Sequence, residues 1–402
     1  MGFKVYSFGS NGKNQLGFPH GEDLMVPQLT LSTDVGLDAA FEALFLSTNG
    51  QLQKIACGGN HTVILLRDGG ILMTGNNESG QLLGDINCKS INRWTKPDDT
   101  WNFGYQEGSK VTGQSEKNNN NIEYVVDVTC GWDFTMVMTS LNKVYIRGQG
   151  LKGELGAGPD IVQSSKFIEV FHSDDLTDKI QIFSSFQNCV ILVTNRANGY
   201  SKVYGWGSNI KCQLWSPKCK SVFEPSLIYE TQDHVIDYVS MGKDFMVYID
   251  ANGSIVHTTG NLPKTFDLES WRNRINLTVL SMWSSIHIIQ KTPTFKISSY
   301  GFNMHNQLLK NDDVTGLKVN TVALGSEHGI MVCDEDGKVS VRCWGWGEHG
   351  NCGSLQKNKS IIINDRSNES SLLNEVMSIS KENETRVDVF GGCANTWIVI
   401  SD

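Results

Sequence analysis

One eleven-residue stretch, CWGWGEHGNCG from Cys343 to Gly353, carries two patterns that could do chemistry. Gly345, Gly347 and Gly350 spell G-x-G-x-x-G, the spacing with which a loop cradles phosphate. Cys343, His349 and Cys352 are residue types that hold zinc. Each reading demands particular supporting elements. A phosphate loop must open a helix, so that free N–H groups and the helix dipole meet the anion. The residues after Gly353, SLQKNKSIIIND, have no helical apolar face. Zinc needs four convergent ligands, and no fourth is evident. The stretch is better read as architecture, because it recurs.

Its copies are an apolar strand ending in glycine, a polar turn and a Gln-Leu-like close. They lie at residues 5–17, 71–84, 144–156, 203–215, 297–309 and 341–353, with a worn version at 255–266. Superposing them aligns Gly9, Gly75, Gly148, Gly207, Gly260, Gly301 and Gly345. Five residues later stand Asn14, Gly80, Gly153, Cys212, Thr265, Asn306 and Gly350, a choice of types that predicts a left-handed turn. Cys352 falls where other copies have Leu16 or Leu214, which makes it a packing thiol. A strand–tight turn–strand motif precedes each copy, as in KIACGGNHTVILL (54–66) and VDVFGGCANTWIVI (387–400). β-Branched residues and alternation mark both halves as strands.

Seven four-stranded units at this period predict an all-β, seven-bladed β-propeller. The chain begins inside a unit, at the third strand KVYSF, and finishes with two strands and no third. A blade shared by 1–33 and 387–402 would close the ring and cover two sheet edges. The remaining blades are placed at 52–97, 124–171, 179–229, 235–268, 277–311 and 318–365. Insertions are expected at 34–51 (a short amphipathic helix), 98–123 (a polar run) and 355–385 (a loop with at most one short helix).

Composition narrows the functional classes. A net charge of −9 over 402 residues, with no Lys/Arg block, argues against general affinity for nucleic acid. Neither a signal-peptide core nor an 18-residue apolar run is present, so no membrane role is expected. Ten scattered cysteines without a C-x-x-C pair fit reduced thiols in the cytoplasm or the nucleus. There is no nucleophile–base arrangement, so the sequence points to no catalytic residue, cofactor or metal, and the chain is read as no enzyme.

The paired motifs resemble the regulator-of-chromosome-condensation repeat family, whose propellers also close by sharing a blade. ACGGNHTV, CGWDFT, VYGWGSNIKCQL, DYVSMGKDFMVYID, MWSSIHI, GSEHGI, CWGWGEHGNCG and FGGCANTWIV look closer to one fungal branch, the alpha-tubulin suppressors, also described as killer-toxin-insensitivity proteins. That resemblance implies a non-enzymatic regulator paired with a small zinc-binding, electron-carrying protein. It further implies action in diphthamide synthesis on translation elongation factor two and in Elongator-dependent modification of tRNA wobble uridines. The alternative, on fold likeness, is a guanine nucleotide exchange factor for a Ran-type GTPase. The chain lacks a basic N-terminal tail and any segment matching an exchange wedge.

Because strands in a blade alternate in direction, the turns after the first and third strands should share one face. That face collects Trp132, Asp133, Phe186, Gln187, Lys243, Asp244, Trp283, Glu327, His328, Glu348 and His349, a mix of aromatic anchors and charges that protein interfaces favour. These are the candidate partner-binding residues. A packing role competes for each of them. His61 and His328 occupy a repeat position suited to bonding neighbouring turns, and Trp206, Trp344 and Trp397 lie in strands as core.

Overall fold

The computed structural model describes residues 2–33, 51–103, 123–175, 177–195, 197–354, 372–380 and 385–401. Seven antiparallel sheets follow one another around an axis. In blade 1 the strands Arg386–Gly391 and Asn395–Ser401 from one end of the chain join Phe3–Gly9 and Leu24–Ser32 from the other. Phe3 pairs with Ser401 and Gly9 with Asn395 in an unbroken register, so the ring closes as expected. Blade 2 is Leu52–Cys57, His61–Leu66, Ile71–Asn76 and Ser90–Thr95, and blade 3 is Val125–Cys130, Phe134–Thr139, Lys143–Gln149 and Gln163–His172. Blade 4 is Lys179–Ser185, Asn188–Asn195, Tyr200–Ser208 and Ser221–Thr231.

Blades 5 and 6 stop at three strands: Ile236–Met241, Phe245–Asp250 and Ile255–Gly260, then Leu277–Ser281, Ser285–Gln290 and Lys296–Gly301. The four-strand expectation is thus corrected for these two. The segments beyond Gly260 and Gly301 hold few β-branched residues, and Pro263 interrupts the first. A 3-10 turn, Glu269–Trp271, and a short helix, α1 (Asn311–Val314), follow instead, burying Trp271 and Val314 against the sheets.

Blade 7 corrects a boundary. Its strands Lys318–Leu324, His328–Glu335 and Lys338–Gly345 are completed by Asn374–Ser380, inside the span 355–385 read as insertion. NEVMSIS alternates apolar and polar residues, a strand signal diluted by its polar surroundings. Residues 355–371 and 381–384 lie outside the described residues, as do 34–50 and 104–122. Of the 98–123 insertion, Asp98 caps a 3-10 turn whose Trp101 is buried, its indole N–H donating to the Leu82 carbonyl at 2.7 Å.

The second strand of each blade is sandwiched by strands on both edges and by neighbouring blades on both faces. Hence HTVILL and FMVYID are buried at every position, and they read as apolar runs where outer strands alternate. Trp206, Trp344 and Trp397 are core. All seven aligned glycines have positive φ, from +85° at Gly260 to +136° at Gly301. At Gly207, φ is +106° and an added Cβ would lie 2.1 Å from the Gln187 carbonyl oxygen. Gly207→Ala is therefore expected to cost more than ~2 kcal/mol from strain and overlap together, measured by urea unfolding. Six of the seven positions five residues later are left-handed, Thr265 being the exception.

Candidate functional site

The first-strand turns of the seven blades converge on the axis with Gly59, Trp132, Phe186, Lys243, Trp283, Ser326 and Cys393 at their tips. Neighbouring tips are stitched by backbone bonds. Gly59 N–H donates to Trp132 and Trp132 N–H to Phe186, each at 2.9 Å. A second arc runs from Lys243 to Trp283 at 2.9 Å, Trp283 to Ser326 at 2.8 Å and Ser326 to Gly392 at 3.0 Å. The arcs are interrupted at Phe186, which is held at φ +52°. That costs a bulky residue on the order of 1 kcal/mol. Its ring meets Trp132 at 5.2 Å and Trp283 at 5.1 Å between centroids, and Lys243 Nζ sits 4.3 Å above it. The cation bridges electrostatically where the backbone does not.

These rings cap an axial cavity of about 160 Å³ that touches all seven blades. Above it, off centre, opens a bowl of about 1030 Å³. Small tips at Gly59, Ser326 and Cys393 leave that side open. The bowl brings together Trp132, Lys243, Asp244, Trp283, Glu327 and His349 of the expected residues. Phe186 lines the axial cavity instead of the bowl, and Asp133 is the half-buried neighbour of Trp132. Glu348 is exposed on the rim, whereas Gln187 lines neither cavity, its backbone carbonyl accepting from Ser208 N–H at 3.0 Å.

His328 is a correction. It is fully buried, with Nε2 2.8 Å from Thr396 Oγ1 in blade 1, because the repeat position points between blades and not into the bowl. His61 bridges blades 2 and 3 in the same way, through Thr135 at 3.1 Å. Residues of the third-strand turns were missed: Lys264, Phe302, His305 and Trp346 also line the bowl. The aligned glycines that precede them were the signal available.

Burial raises the carboxyl of Asp133, with the Glu78 charge adding, and raises Glu327 despite hydrogen bonds from Ser284 Oγ and Gln307 Nε2. The thiols around the axis are inert by the same cause, Cys130 being pushed up to about 12 and Cys393 to about 11. His349 turns Nδ1 to Asp23 at 2.7 Å, away from any joint site with Cys343 and Cys352. Cys352 is buried with its Sγ on the Trp344 carbonyl at 3.3 Å. No group of three His, Cys, Asp or Glu among the described residues is placed to hold a metal.

Family models of the regulator of chromosome condensation (RCC1) repeat match residues 4–65 and 52–81. Residues 4–81 carry RCC1 repeats. An RCC1 repeat-containing protein of Schizosaccharomyces pombe is 27% identical over 362 residues, covering 88% of this chain and 90% of its own. A secretion-regulating guanine nucleotide exchange factor of Bos taurus is 22% identical over 398 residues, covering 87% and 75%. Human WBSCR16 superposes with a TM-score of 0.67 at 14% identity, covering 100% of this chain and 99% of its own. Yeast RCC1 (Prp20), in its structure with Kap60, gives 0.66 at 14%, covering 100% and 89%. Those two likenesses concern the fold. In this propeller the bowl is built from turns whose residues differ between copies, while the shared glycines and inter-blade histidines hold the ring.

Proposed function

We propose that this RCC1-repeat propeller is a non-catalytic scaffold whose axial bowl docks a small zinc-binding, electron-carrying protein. The pair would act in diphthamide synthesis on elongation factor two and support Elongator-dependent modification of tRNA wobble uridines, in the cytoplasm and the nucleus. One observation supports the reading above others. Seven of the eight stretches that resemble the fungal branch are scattered between residues 56 and 399, yet each supplies residues to one bowl: Gly59, Trp132, Lys243, Trp283, Glu327, His349 and Cys393. The eighth, VYGWGSNIKCQL, forms the third-strand turn of blade 4 on the same face.

The test is titration of the purified chain with that zinc protein by calorimetry and size exclusion. A stoichiometric complex is expected, and the double charge reversal Asp133→Lys/Lys243→Glu should weaken it at least tenfold. Absence of any complex sinks the partner, and an unaltered affinity sinks the face. The likeness to secretion-regulating exchange factors across 87% of the chain favours a second reading. Accelerated nucleotide release from a loaded Ran-type GTPase would support that one instead.

A further inference from the structure

Three and four residues beyond the aligned glycine, four consecutive blades carry the same pair, an apolar residue followed by a base. They are Leu151–Lys152, Ile210–Lys211, Pro263–Lys264 and Met304–His305, in blades 3 to 6. Leu151 is 67%, Ile210 49% and Met304 77% exposed, large values for apolar side chains side by side on one face. At the same positions blades 7, 1 and 2 have Glu348–His349, Gly12–Lys13 and Glu78–Ser79.

The two halves also use their basic side chains differently. In blades 7, 1 and 2 they are engaged internally, Lys13 by Glu78 at 3.1 Å and His349 Nδ1 by Asp23 at 2.7 Å. Among the described residues Lys152, Lys211 and Lys264 form no ion pair, and Lys243 between them sits over Phe186 and Trp283. On a chain of net charge −9, this crescent sets four lysines without a close ion pair among aliphatic tips, with Asp133, Glu154 and Asp244 set between them in blades 3 and 5.

We propose that the crescent over blades 3 to 6 is the docking half of the face, and that it fits an acidic protein surface bearing apolar side chains. At the aligned positions the third-strand turns of blades 7, 1 and 2 add no unpaired cation to the contact, while their first-strand turns complete the wall of the bowl. This rests on the reading that the face docks a protein. Charge complementarity selects the occupant: Lys152, Lys211, Lys243 and Lys264 offer an acidic partner cations that no close ion pair among the described residues occupies, which fixes its register. RNA fits less well. Single strands need aromatic platforms for successive bases, and apart from Trp132 and Phe302 the outward tips of the crescent are Leu, Ile, Pro and Met.

The probe is a fluorescein-labelled 14-residue peptide of alternating Glu and Leu, titrated with the full chain and followed by anisotropy. Binding that weakens with salt is expected. The triple variant Lys152→Glu/Lys211→Glu/Lys264→Glu should weaken it at least tenfold, and Lys13→Glu less than twofold. Failure to bind, or equal binding by the triple variant, overturns the proposal. Tighter binding of a 14-nucleotide single-stranded RNA, lost in the same variant, overturns it in favour of nucleic acid. The small zinc protein is then titrated against wild type and triple variant. A tenfold loss extends the crescent to that partner, and equal binding overturns the crescent while keeping the partner. If wild type ignores the zinc protein yet the peptide result holds, the crescent stands and the partner's identity falls.

Discussion

Trp397→Ala should lower the free energy of unfolding by about 3–5 kcal/mol, the range for emptying a large aromatic site in a packed core. Trp397 is fully buried in the second strand of the closing blade, its ring edge-on to Trp94 of blade 2 at 5.8 Å and its indole N–H on Asn395 Oδ1 at 2.9 Å. The strand carrying it pairs with Phe3–Gly9, so the cavity would open where two ends of the chain meet. Releasing that strand would expose two sheet edges and the apolar seam shared by blades 7, 1 and 2. Urea unfolding supplies the magnitude. Hydrogen exchange supplies the location: amides of residues 3–9 and 395–401 should lose protection ahead of blade 4. A loss below about 1 kcal/mol, or uniform loss of protection, would mean that closure does not limit stability.

The ring was legible because its constraints are local and repeated. A glycine at φ near +100° beside a neighbouring carbonyl leaves its mark on the residue type in every copy, and Cys212 and Asn306 betray a left-handed turn without glycine. The incomplete ends showed the shared blade for the same reason, since a missing third strand is visible against six units that all carry their first three strands. The outer strands were harder. They touch little, so the sequence around Asn374–Ser380 is free to be polar, and Trp271 or Val314 can fill the place of a strand in blades 5 and 6. The bowl was half legible. Trp132 and Trp283 stood out because they replace small turn residues, but no periodicity reveals that Lys243 lies over Phe186. His328 misled because its type suits a surface contact, whereas its geometry serves the seam between blades.

Acidification from pH 7 to pH 5 should remove several kcal/mol of stability through three buried histidines. Burial lowers His61 and His328 to about 4 and His287 to about 3, from 6.5. Their neutral rings are held by hydroxyls: His61 by Thr135, His328 by Thr396, and His287 by Ser285 and Ser299, both at 2.9 Å. As pH falls through 6.5, the unfolded chain takes up protons that the folded chain refuses until about 4, so stability drops across that window. Each histidine contributes about 2 kcal/mol of the difference between pH 7 and 5. Asp133, Glu154 and Glu327 are raised by burial and offset part of it by taking up protons in the folded state. Urea unfolding at pH 7, 6 and 5 measures the slope, and His328→Gln should remove about a third of it. A pH response of less than one proton would show that the histidines are not held neutral. Because His61 joins blade 2 to blade 3 and His328 joins blade 7 to blade 1, acid attacks the ring at its seams, and the closing blade should be among the first places to loosen.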